Sequence, residues 1–234
     1  MKKTTIQPAG LNRQRAFLYL TRVILTMLGG ALAFGIYSGV SAQTDGKPEN
    51  LPPTPFRIGE KLTYTVSFAR FTNVGFAELS VVSRGKLSGR DAVELHSKFK
   101  TSELVAAAFY LLDESRTTYA AADSGLPLYI RKTSDEGVLP KQQISNFLAA
   151  PTPNYDLLTL VYRLRGLGGF GSLMLQEDDR IYSVSAVTGP AERIKTVAGE
   201  FDTVVSTVQS EFFSEKGFRD FRVNFSADDR KIPV

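Results

Sequence analysis

The chain has 234 residues, with 28 basic and 24 acidic side chains, one histidine and no cysteine. The lack of cysteine excludes disulfides, thiolate nucleophiles, thiolate-ligated iron–sulfur clusters, cysteine zinc sites and lipid attachment through a cysteine thiol. The basic surplus is local: residues 1–42 carry Lys2, Lys3, Arg13, Arg15 and Arg22 and no acid, and with these five of the 28 set aside 23 basic residues face 24 acidic ones. The nearly neutral remainder has no electrostatic footprint for nucleic acid.

The first segment has the parts of a secretory signal. A basic region runs from Lys2 to Arg22, an apolar stretch from Val23 to Val40, and Val40-Ser41-Ala42 places small residues ahead of Gln43. The expectation is an exported precursor, cut before Gln43 and delivered to the periplasm. An uncleaved inner-membrane anchor is the alternative, disfavoured by Gly29, Gly30 and Gly35 inside the apolar run. Residues 43–55, rich in Pro, Asp, Glu and Gly, read as a flexible linker. A single β-rich domain is expected over 56–234.

Period-two patterning follows. In Lys61–Ala69 the residues Leu62, Tyr64, Val66 and Phe68 alternate with polar ones, the mark of a half-buried strand. Arg70–Asn73 reads as a turn into a second strand, Val74–Val82, and Ser88-Gly89-Arg90 as a turn into a third, Asp91–Lys100. Short turns between consecutive strands favour an antiparallel meander over crossover units. Ser102–Leu112 breaks the alternation and suggests a short helix capped by Ser102. Glu114–Ala121 and Leu126–Lys132 read as a hairpin around Asp123-Ser124-Gly125. Ser134–Pro153 shows no period and reads as a loop, with a partial helix through Gln142–Phe147 as the alternative.

The strongest helix signal comes next. Asn154 or Asp156 can cap it, Leu157, Val161 and Leu164 form an apolar stripe flanked by Leu158 and Leu160, and Gly166 stops it. Beyond the glycine-rich Gly166–Gly171 lie a weak strand candidate, Leu173–Gln176, a strand Arg180–Val187, and a hairpin of Ala191–Val197 with Phe201–Gln209. A last strand covers Arg219–Ser226. With about eight to ten strands and one or two helices, the pattern predicts a mainly β fold. The expected form is a curved antiparallel sheet, half-barrel-like, with one or two covering helices.

The order of several short motifs resembles the DUF3108 family of exported bacterial proteins. They are Gly59–Ser67, Val74–Leu79, Tyr155–Arg165, Lys195–Asp202 and Phe225–Val234, and together they span nearly all of 56–234. The resemblance implies a periplasmic or outer-membrane-associated β-rich protein, with a distant likeness to half-barrel carriers of lipids or lipoproteins. It brings no catalytic residues. It also implies another strand or two beyond Ile232-Pro233-Val234, so an end at Val234 would leave a sheet edge open.

Candidate sites are few. His96, the single histidine, alternates with Glu94 and Lys98 on a polar strand face and reads as a surface residue, with no partners for a triad. Asp228, Asp229 and Asp220 could offer oxygens to a hard cation, yet match no calcium loop and read as turn residues beside Arg230. No metal site, cofactor or catalytic set is expected. Arg163 and Arg165, at the helix end, could clamp an anionic head group, or else cap the helix or form salt bridges. Phe170, with Leu167, could act as an apolar lid. Tyr64, Phe68 and Tyr182, with Val66, Leu79, Val93, Leu95 and Val184, would line a cavity in an open half-barrel or fill a solid core. The leading expectation is a non-catalytic periplasmic carrier for an apolar or amphipathic envelope molecule, its partner a lipid or other amphiphile. The alternative is a structural or assembly factor of the cell envelope acting through protein contacts.

Overall fold

The computed structural model describes residues 55–68, 71–102, 113–135, 140–215 and 221–234. The expected leader, the linker up to Thr54 and nearly all of the Ser102–Leu112 helix lie outside those residues. Six strands form a first sheet: β1 (Lys61–Phe68), β2 (Phe71–Leu87), β3 (Arg90–Thr101), β4 (Asp113–Ala121), β5 (Pro127–Asp135) and β6 (Lys141–Asn146). Helix α1 (Leu157–Gly166) follows, and then a second sheet of β7 (Gly171–Glu177), β8 (Arg180–Thr196), β9 (Gly199–Gln209) and β10 (Phe221–Ser226). Each sheet is an antiparallel meander in chain order. A second short helix, α2 (Glu211–Glu215), belongs to a separate unit. Within it the Phe212 and Phe213 rings meet edge to face at 5.3 Å.

The alternation seen in sequence sets the inner faces. Val93 and Leu95 are buried on β3 while Glu94 and His96 turn outward, and Tyr182, Val184 and Ala186 are buried on β8 between exposed neighbours. Ser88 and Gly89 both take positive φ, 49° and 83°, as a tight β2–β3 hairpin requires.

The single curved, half-barrel-like sheet does not form. Two separate open sheets take its place. After β6 the chain leaves the ladder, runs through α1, and β7 then pairs with β8 instead of β6. Nor is α1 a cover over a concavity. It contacts β3 and β4 of the first sheet and β7 of the second. Leu158, Leu160, Tyr162, Arg163, Leu164 and Arg165 are all buried, while Leu157 and Val161, two of the three residues of the expected stripe, are only partly so. Leu158 and Tyr162 join Val81, Val93, Leu95 and Ala120 in one core cluster. A helix buried nearly all round has no single stripe to read.

Other elements differ for identifiable reasons. The expected loop over Ser134–Pro153 contains β6, a polar edge strand held by backbone pairing and thus without apolar alternation. Strand β8 is continuous through Gly189-Pro190, where the pairing register shifts between Thr188 and Ala191. A bulge there accommodates the proline's missing N–H. Helix α1 runs through Gly166, and the chain turns at Gly168 and Gly169, with φ of 71° and 81°. A Cβ on Gly169 would lie 2.9 Å from the Ser206 Cβ, so this turn also seats the helix end closely on β9.

Candidate functional site

Asp156, one of the two caps read from sequence, begins α1. Its Oδ1 accepts the Thr159 N–H at 2.9 Å, and Thr159 Oγ1 accepts the Asp156 N–H at 3.0 Å. Its second carboxylate oxygen is used elsewhere: it accepts Thr118 Oγ1 at 2.7 Å and Arg116 Nη1 at 3.3 Å, both from β4. Arg116 also donates to both oxygens of Glu177 at the end of β7. Lys132 on β5 reaches Glu177 at 3.2 Å, Asp178 at 3.5 Å and Glu114 at 3.7 Å. A buried ionic tie thus links the first sheet, the helix N-terminus and the second sheet.

Its electrostatics favour the charged forms. Burial pushes the Glu177 carboxyl up, but the hydrogen bonds and charges of Arg116 and Lys132 outweigh this and hold it below the usual range. Burial pulls Lys132 down, and Glu177 and Glu114 more than restore it, so its ammonium is held above the ordinary value. Beside the tie opens a polar cleft of about 330 Å³, between Ile130, Gln143 and Ser145 on one side and Gln176, Asp178 and Asp179 on the other.

The rim of this cleft is β6, and among the described residues no strand pairs with its outer edge. Phe147 N–H donates to Leu128 O at 2.9 Å, in register with the Tyr129–Asn146 pair. Bonded and non-bonded pairs alternate along an antiparallel ladder. Gln143 and Ser145 therefore bond to β5, and Gln142, Ile144 and Asn146 turn their N–H and C=O groups away from it. The Ile144 side chain is 57% exposed. The other edges are engaged to different degrees. Tyr155 exchanges backbone bonds with Met174 and Gln176 on the flank of β7, and Ile232 and Val234 do so with Ser226 and Asn224 on β10. On β1 the edge begins with charged Lys61, paired to Glu78 at 2.8 Å.

The residues singled out in sequence do not converge on one cavity. Arg165 is fully buried, its guanidinium bonded to Glu60 and to the Arg230 carbonyl. Arg163, also buried, lies near the Tyr155 ring, whose hydroxyl is held up by burial more than Arg163 lowers it. Tyr64 donates its hydroxyl to Pro233 O at 3.0 Å, and burial pushes it up to about 12, so Tyr64 and Arg165 sit near each other inside the structure. Tyr182, on β8, lies under the Arg180 guanidinium at 4.7 Å. Phe170 is 60% exposed. Phe68 is paired with Phe71 in the β1–β2 ladder, its side chain outside the described residues. His96 bonds Glu94 at 2.8 Å on the outer face of β3. Asp228 accepts from Ser226 and Arg230 in a turn, while Asp220 lies outside the described residues.

Sequence reasoning missed Arg116, Glu177 and β6. A signal for the first exists: Arg116 alternates with Thr118 and Ala120 on one face of β4, and a cation in line with a buried alanine calls for buried acids. Among the described residues no group of three or more His, Cys, Asp or Glu is placed to hold a metal ion. Comparison with family models, with curated proteins and with solved structures gives no match in any of the three.

Proposed function

We propose that this protein is a non-catalytic factor of the cell envelope that works through contact with other proteins, and that β6 is its contact element. The outward backbone groups of Gln142, Ile144 and Asn146 carry this reading, because an unpaired strand edge is a template for a partner strand. The carrier reading needs an apolar cavity. Val93 and Leu95, which would line it, pack instead against Leu158 and Tyr162 of α1. The buried charges of Arg116, Glu177 and Asp156 further make the helix–sheet junction a poor apolar container.

A photo-crosslinking amino acid at position 144 tests this, with the full chain expressed in a bacterial host and adducts identified by mass spectrometry. Protein adducts at 144, absent when the same group replaces exposed Asp123, are the expected result. Lipid adducts alone, or no protein adduct at 144, would overturn the reading.

A further inference from the structure

We propose that the strand seated on β6 is β6 of a second copy of this chain, the two edges pairing antiparallel about a twofold axis at Ile144. This rests on the reading of β6 as a contact element and names its partner. The outward groups belong to Gln142, Ile144 and Asn146, spaced evenly about residue 144. An antiparallel pairing centred there sets Ile144 opposite Ile144 of the second copy, and Gln142 opposite its Asn146. Each facing pair made by Gln142, Ile144 and Asn146 then exchanges two backbone hydrogen bonds, and the Gln143–Ser145 pairs between them keep their bonds to β5.

The side chains fit the same register. Residues 142–146 are Gln-Gln-Ile-Ser-Asn and carry no charge, so no like charges meet across the seam. Lys141, the one charged residue of β6, would face Phe147 of the second copy instead of another lysine. At the axis the two Ile144 side chains, exposed in the single chain, cover one another. Gln142 and Asn146, on the same strand face as Ile144, bring amides opposite amides. Devices that keep an edge from pairing with itself include a lysine, an inward charge, a proline, a bulge or a very short strand. Of the side-chain devices only the lysine occurs in Lys141–Asn146, at the end of the strand and away from the axis, and the register with β5 is unbroken. The result is an isologous dimer in which the two six-stranded sheets become one continuous sheet.

The sequence contains no cysteine, so Ile144→Cys introduces a single thiol into the full chain. A short bismaleimide should convert this variant to covalent dimer, and should leave an Asp123→Cys control as monomer. Sedimentation of the unmodified protein should show a dimer across the micromolar range. Ile144→Lys, at an exposed position that folding tolerates, sets two like charges at the axis and should weaken dimerisation at least ten-fold. Ile144→Pro removes an outward N–H that β5 does not use and should do the same. A protein that stays monomeric across that range, or a covalent dimer equally abundant in both cysteine variants, would overturn the proposal. A photo-adduct from position 144 to a different protein alone would overturn the second copy while leaving the protein-contact reading standing. Absence of any protein adduct would remove both.

Discussion

Arg165 grips Glu60 through two guanidinium–carboxylate bonds, 2.5 and 2.9 Å long, across 105 residues of chain. Its Nε donates to the Arg230 carbonyl at 2.8 Å. One side chain of α1 therefore ties the approach to β1 to the turn after β10. Arg165→Ala leaves the Glu60 carboxylate, 12% exposed, without its partner. Breaking one side of such a pair costs about 3–5 kcal/mol, to be measured as a lowered urea midpoint. Arg165→Lys should recover only part, since an ammonium cannot make both bonds of the fork. Equal stability of the alanine variant and the parent would show the clasp to be incidental.

The tie at Glu177 predicts a pH profile. Glu177 is depressed, so its contribution is fully present above its unfolded value of about 4.3 and fades as pH falls through the lower folded value. Lys132 is raised, so its contribution holds below about 10.4 and fades as pH climbs through the higher folded value. Unfolding free energy against pH should show a plateau between these limits. Glu177→Gln should flatten the acid limb and Lys132→Met the alkaline one. An unchanged acid slope in Glu177→Gln would place the acid sensitivity elsewhere.

Tyr162 gives the opposite kind of prediction. Its hydroxyl is buried with no hydrogen-bond partner among the described residues. Its ring packs in the core cluster and against Phe56, with centroids 5.4 Å apart. Burial, then the charge of Glu60, pushes the hydroxyl well above its ordinary value. Tyr162→Phe keeps the packing and removes a group that costs about 1–3 kcal/mol when buried unsatisfied. The variant should be as stable as the parent or more so by thermal unfolding; a clear loss would reveal a partner for the hydroxyl.

Two glycines of β2 should separate cleanly. A Cβ on Gly75 would sit 2.7 Å from the Lys100 carbonyl oxygen, while one on Gly85 meets nothing within 4 Å. Gly75→Ala should cost about 1–3 kcal/mol through overpacking against backbone. Gly85→Ala should be neutral or mildly stabilising. Similar denaturant midpoints for both would mean that the β2–β3 approach relaxes freely.

Much of the local structure was written in short-range chemistry. The alternation of Tyr182, Val184 and Ala186, the Asp156 cap and the Ser88-Gly89 turn each act over a few residues and can be read there. The features that misled depend on distant partners. β6 is a strand because β5 lies beside it, and nothing in Lys-Gln-Gln-Ile-Ser-Asn says so. Arg116 meets Glu177 across 61 residues, and no spacing rule joins them. The break into two sheets follows from where α1 inserts, and a helix buried on most sides carries a pattern that one sheet or two would satisfy equally.

The meander order has a consequence for how the chain acquires its shape. Every strand pairs only with strands adjacent in chain order, so each sheet can assemble hairpin by hairpin, closing short loops at little entropic cost. The Arg116–Glu177 and Arg165–Glu60 pairs span 61 and 105 residues, so they can close only after α1 has docked. Folding should therefore separate into fast local zippering and a slower docking step. Substitutions at Arg116 or Arg165 should speed unfolding while leaving early strand pairing nearly unchanged.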